Sequence, residues 1–115
     1  MKKIYLLGLL LLNISFVQAA DQIRVCGKYQ RMDSTWSHGY KLTGYYLTGS
    51  ELDDQVNQNI ADQTKKYFLI KWRKGGYTFM EVGSNFLSAI QGSSKIYRDQ
   101  TGKPWEIRQG WNGCR

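Results

Sequence analysis

Two cysteines bracket this chain, Cys26 shortly after an apolar leader and Cys114 at the penultimate position. An even count placed this way predicts one disulfide joining the two ends of the intervening segment. Closing so long a loop removes about 4 to 5 kcal/mol of unfolded-chain freedom in the chain-entropy account. That is comparable to the whole stability of a domain this small. Whatever fold forms must therefore bring its first strand against its last residues. The alternative, two free thiols in a catalytic or metal pair, lacks the neighbouring His or second Cys that such sites use. No metal and no cofactor is expected.

The leader itself has the three parts of a secretory signal. Lys2 and Lys3 form the charged start, Ile4 to Leu12 the apolar run, continued weakly by Ile14, Phe16 and Val17, and Val17-Gln18-Ala19 the small-residue end. The reading is a signal peptide over residues 1–19, cut after Ala19, and a single soluble domain over residues 20–115. A retained anchor needs about twenty uninterrupted apolar residues, and Asn13, Ser15 and Gln18 break the run. No Cys follows the cut to carry a lipid. The short basic start is bacterial in style, so the periplasm is the expected compartment and secretion the alternative.

Removing Lys2 and Lys3 takes the formal charge from +7 to +5, so the mature domain is basic. That favours acidic partners, namely an acidic protein surface, nucleic acid or an anionic envelope polymer, held by attraction that salt weakens. A solubilising surface charge with no partner is the plainer alternative. Four Trp, eight Tyr and four Phe exceed what so small a core needs, and Tyr, Trp and Arg are favoured at binding hot spots. There is no repeat, low-complexity run or linker, which points to one domain.

Along the mature chain, Ile23, Val25 and Gly27 alternate with Arg24, Cys26 and Lys28, predicting a first strand to Tyr29. The stretch from Met32 to Gly39 is polar and turn-rich and holds the chain's one histidine, His38. Tyr40 to Leu47 is aromatic and β-branched, a second strand. Ser50 offers an N-cap, and Leu52, Val56 and Ile60 recur every four residues, predicting a helix over Glu51–Ala61 with one apolar stripe. Lys66–Lys74 and Tyr77–Val82 form a hairpin if Gly75-Gly76 makes a two-residue turn. In that register Trp72 faces Phe79 on the core side with Phe68 and Ile70. Lys71, Arg73, Tyr67, Leu69, Thr78 and Met80 then share a basic, aromatic outer face. Ser84 can cap a short helix carrying Phe86, Leu87 and Ile90, stopped by Gly92. A second hairpin, Lys95–Arg98 and Trp105–Arg108, has Pro104 at a strand start, which points to an edge. Asn112-Gly113 then turns Cys114 back toward the first strand.

The order β β α β β α β β predicts an α+β domain, a curved antiparallel sheet of about six strands with one or two short helices on one side. An all-β barrel is the alternative. For function, three classes compete. Trp36, His38 and Tyr40 with the pair Tyr45 and Tyr46 offer exposed anchors beside positive charge, the makeup of a surface that grips an acidic protein. Lys71, Arg73, Lys74 and Tyr77, with Lys65, Lys66, Tyr67 and Trp72, form a basic aromatic hairpin that would track a polyanion. His38 with Glu81 or Glu106 would supply acid–base hydrolysis of RNA, yet no catalytic motif frames them. The expectation is a non-enzymatic exported binding protein, monomeric or weakly dimeric: an inhibitor, an immunity-type factor or an accessory subunit of an envelope or secretion complex. Polyanion binding and a small secreted nuclease or hydrolase are the alternatives.

Overall fold

The computed structural model describes residues 21–115, and the leader expected over residues 1–19 lies outside them. The elements are β1 Asp21–Tyr29, β2 Tyr40–Thr48, α1 Gly49–Val56, β3 Lys66–Lys71, β4 Tyr77–Val82, α2 Phe86–Ala89, β5 Lys95–Arg98 and β6 Pro104–Gln109. All six strands pair antiparallel in one sheet of order β4-β3-β2-β1-β6-β5. Read as a ring, each strand lies beside its neighbour in sequence, with β6 closing onto β1. The seam falls between β4 and β5, where an isolated bridge joins Met80 to Asp99. The result is a nearly closed up-and-down barrel, and because the protein is mostly strand, the all-β description fits it about as well as the α+β one. No helix among the described residues is long and apolar enough to cross a membrane.

Alternation along each strand builds the interior. Ile23 and Val25 of β1, Leu42 of β2, Phe68 and Ile70 of β3, Met80 and Val82 of β4, and Trp105 and Ile107 of β6 all point inward. Phe86 and Ile90, from α2 and the residue that ends it, complete that cluster. Gly44, also inward, has no side chain because a Cβ there would run into the Phe68 ring. A second cluster lies outside the barrel wall, where Leu47, Tyr67 and Leu69 are covered by Leu52 of α1. The helices therefore cover opposite faces of the sheet, rather than one, and β3 is buried on both, which is why it reads as an unbroken Tyr-Phe-Leu-Ile run.

Several local expectations change. The β3–β4 turn is not a two-residue turn over Gly75-Gly76. Lys71 pairs with Tyr77, Trp72 N–H donates to the Gly76 carbonyl at 3.1 Å, and Gly75 N–H donates to that of Trp72 at 3.0 Å. Both glycines hold positive φ, 101° and 82°. Pairing Lys71 instead of Lys74 with Tyr77 is an odd shift, so every β4 side chain changes face. Met80 goes inside opposite Phe68, while Phe79 goes outside opposite Leu69, where α1 gives it apolar cover.

The first helix begins at Gly49, not Glu51, and stops at Val56. Thr48, not Ser50, caps it: Glu51 N–H donates to Thr48 Oγ1 at 3.1 Å, and Thr48 N–H donates to Glu51 Oε1 at 2.8 Å. Asn57 leaves the helix at φ 55°. Beyond it the Asp53 carboxylate takes the N–H groups of Ile60 and Ala61, both at 2.9 Å, and this competing bond ends the apolar stripe. Ile60 is left 44% exposed. In α2, Asn85 rather than Ser84 holds the cap position and makes no side-chain bond.

Pro104 does not mark an edge, since β6 lies between β1 and β5. It opens the strand opposite Gln30, whose N–H donates to the Pro104 carbonyl at 3.0 Å; having no N–H of its own, proline cannot return that bond, which is tolerated at the first residue of a strand. Cys26 points out of the barrel and is bonded to Cys114, with Cα atoms 5.5 Å apart. The tail is further held by Trp111 Nε1–H donating to the Leu42 carbonyl at 3.0 Å and by Arg24 lying 4.8 Å over the Trp111 ring.

Candidate binding surface

The barrel has two unlike ends. At one, α2 inserts Phe86 under Tyr46, Phe68 and Tyr97, at centroid distances of 5.7, 5.1 and 5.4 Å. At the other, where β1, β3 and β5 end and β2, β4 and β6 begin, no helix intrudes. The inward positions there are Tyr29, Tyr40 and Trp105, with Trp72 just past the last pair of β3. Their rings run on without a break: Trp72 to Trp105 6.3 Å, Trp105 to Tyr29 5.5 Å, Tyr29 to Tyr40 6.0 Å, and Tyr40 to His38 4.2 Å. Gly27 lies below the indole, where a Cβ would come within 2.9 Å of the Leu42 side chain.

Polar anchors hold the band in place. Trp72 Nε1–H donates to Thr78 Oγ1 at 2.9 Å, and Trp105 Nε1–H donates to Asp99 Oδ2 at 2.9 Å. Burial alone would raise the Asp99 carboxyl, but bonds from the Thr101 hydroxyl, the Trp105 indole and the N–H groups of Thr101 and Lys103 outweigh it, so the acid is held below its ordinary value. The Tyr40 phenol is raised, first by the neighbouring Tyr29 hydroxyl and then by burial. Lys103 Nζ stands 4.9 Å over the Tyr29 ring, a cation–π placement. Trp72 remains 36% exposed.

The β1–β2 loop rises beside this band as a tight, internally bonded turn. Arg31 N–H donates to the Thr35 carbonyl at 2.7 Å and Ser34 N–H to that of Arg31 at 2.9 Å. Arg31 Nη1 donates to the Trp36 carbonyl at 2.6 Å. Asp33 Oδ1 accepts from Thr35 N–H at 3.0 Å and from its hydroxyl at 2.6 Å, which lowers the Asp33 carboxyl. Ser37 closes the base, donating to the His38 carbonyl and accepting from Tyr29 N–H. The cations Arg31, Arg73, Lys74, Arg98 and Lys103 surround the end, whereas its acids, Asp33 and Asp99, spend their oxygens on nearby loop and indole donors. The ion pair found among the described residues, Lys65–Glu81 at 3.7 Å, lies elsewhere.

Of the residues singled out by sequence, Trp36, His38, Tyr40, Arg73 and Lys74 belong to this end. Lys71 and Tyr77 stand at the same level but face away from the band: on the outer wall, Lys71 Nζ donates to Gln55 of α1 at 3.0 Å and Tyr77 stacks on Phe79 at 6.0 Å. Tyr45 and Tyr46 are not one exposed pair, because adjacent strand residues face opposite ways. Tyr45 packs in the outer cluster, and Tyr46 turns inward with its hydroxyl donating to the Ser84 carbonyl at 3.2 Å. Glu81 pairs with Lys65 on the outer wall and Glu106 stands on the outer face opposite Lys28, so His38 faces neither across a shared site. Sequence reasoning missed Tyr29, Trp105, Met32 and Lys103. The signal available was position, since an inward aromatic at a strand end is half in the core and half on the surface.

Two concavities lie away from this end. One of about 380 Å³ sits at the β4–β5 seam near Lys65, Glu81, Ser84 and Tyr97, and one of about 170 Å³ lies beside the disulfide with Lys28, Glu106 and Arg108. Set against family models, curated proteins and solved structures, the chain matches none.

Proposed function

We propose that this protein is a non-enzymatic, exported binding domain, working in the periplasm, that captures an acidic protein through the aromatic end of its barrel. It would act as an inhibitor or immunity-type factor, or as an accessory subunit of an envelope or secretion complex. One observation carries the reading: a locked run of five rings, from Trp72 to His38, ringed by cations whose local acids are already bonded. Rigid aromatic surface costs little side-chain freedom on binding, and the surrounding positive potential selects an acidic partner and speeds encounter. A protein is favoured over a polymer because Met32 and Trp72 add exposed apolar area, and Met and Trp are enriched in protein interfaces where Lys is depleted.

The test immobilises the mature domain and exposes it to envelope extract, and separately to heparin and duplex DNA, at low and at about 150 mM salt. One stoichiometric acidic protein retained at the higher salt, and lost from a Trp72→Ala, Arg73→Glu double variant, supports the reading. Retention of heparin or DNA with a steep salt slope, and of no discrete protein, replaces it with polyanion binding.

A further inference from the structure

Met32 is the most exposed large apolar side chain among the described residues, at 105% of its reference accessibility, and it stands at the tip of the β1–β2 loop. It adds nothing to the core. The loop that carries it is nonetheless among the most heavily bonded segments of the protein. Besides the bonds of Arg31, Asp33 and Ser37, Gln30 Nε2 donates to the Ser34 carbonyl at 3.2 Å, a bridge joins Gln30 to Trp36, and Ser34 takes a positive φ of 72°. Such order around a residue that the fold does not use means the tip is shaped before any partner arrives, which lowers the cost of binding.

We infer that Met32 is the anchor of the binding surface and that the partner offers an apolar socket, sized for a thioether, inside an acidic rim. The inference rests on the protein-capture reading above and names the partner's chemistry. The side chain is unbranched and polarisable and fills irregular sockets well. The rim follows from charge. Arg31 adjoins Met32, Lys103 stands over Tyr29 at the loop base, and the one acid of the turn, Asp33, points its oxygen back to Thr35. A polyanionic chain has no use for a projecting thioether. The other exposed aliphatics, Ile60 and Ile96, stand singly, one beyond α1 and one on the outer side of β5.

The experiment places a photo-crosslinking phenylalanine at position 32, 60 or 96 of the full chain in the producing cells. A single adduct from position 32, absent from 60 and 96, is expected, and the crosslinked protein is then purified for affinity measurement. Met32→Ala should weaken binding about ten- to a hundredfold, the worth of one buried aliphatic side chain, and Met32→Leu by less than about threefold. Both should melt with the wild type, since the tip packs on nothing. Met80 is buried, so mild peroxide should oxidise Met32 first; that treatment should mimic Met32→Ala and leave the Leu variant's binding intact. No adduct at position 32, equal adducts at all three, or full affinity in Met32→Ala overturns the inference. If affinity survives Met32→Ala but is lost in the Trp72→Ala, Arg73→Glu double variant, protein capture stands and the anchor falls. If only heparin or DNA is held, both fall.

Discussion

The two ends of the barrel are made from the same strands and finished by different means. At the plugged end, α2 lowers Phe86 and Ile90 into the interior until both are fully buried, so apolar area there is spent on stability. At the aromatic end the strands' own inward residues close the mouth, and Trp72 and His38 stay in contact with water. A helix of only four residues, Phe86–Ala89, distinguishes the end it fills from the end left open. Large rings at a barrel end are thus not all core, and which they are depends on whether another element covers them.

The largest expected effect breaks the plugged end alone. Phe86→Ala should cost about 3 to 5 kcal/mol, read from the denaturant midpoint, while any variant that still folds retains the partner as well as wild type does. The aromatic end should behave in the opposite way. Trp72→Ala, with the side chain already partly in water, should cost about 1 to 2 kcal/mol of stability yet sharply reduce retention of the partner. Equal losses of stability in both variants would erase the division of labour.

The seam offers a finer test. Gln100 Oε1 accepts from Phe79 N–H and its Nε2 donates to the Tyr77 carbonyl, both at 2.9 Å, so a side chain stands in for the missing strand partner of β4. Gln100→Ala should cost about 1 kcal/mol and raise hydrogen exchange at Phe79 more than at Phe68. That change should stay at the aromatic half of the seam.

Acid should loosen the loops, with the smallest effect. The carboxyls of Asp53 and Asp62, outside the aromatic end, and of Asp33 and Asp99, within it, lie below the ordinary value of 3.8 in the fold. A depressed folded value stabilises the protein above about pH 4, and this contribution is lost as pH falls through the folded values. The amides of Thr35, Thr101 and Lys103, which bond to these carboxylates, should lose exchange protection before those of β1. Asp99→Asn should flatten the acid limb of the stability curve. An acid response unchanged in that variant would remove Asp99 from the account.

How much was legible follows from how local each cause is. The inward set of β1, the Asn-Gly turn at Gly113 and the joining of Cys26 to Cys114 rest on alternation, turn chemistry and pairing, all visible in the chain. So was a signal left unused, the Asp-x-Thr triplet. Asp33-Ser34-Thr35, Asp62-Gln63-Thr64 and Asp99-Gln100-Thr101 each place the Thr hydroxyl 2.6 Å from the Asp carboxylate, and two of the three lie in loops of the aromatic end. The helix length was misjudged because Asp53 bonds to residues seven and eight positions on, a contact no periodicity records.

By itself the sequence determined which segments are strands, that the last four pair as two hairpins and that a covalent tie brings the tail to β1, because each of these is a property of neighbouring residues or of two reactive side chains. Only the tertiary structure decided which face of β4 turns inward, which end of the barrel receives α2, and therefore which aromatics remain available to a partner. The reason is that an odd change of register inverts a whole strand, and its sign was set by apolar cover from α1, an element whose position depends on the rest of the fold.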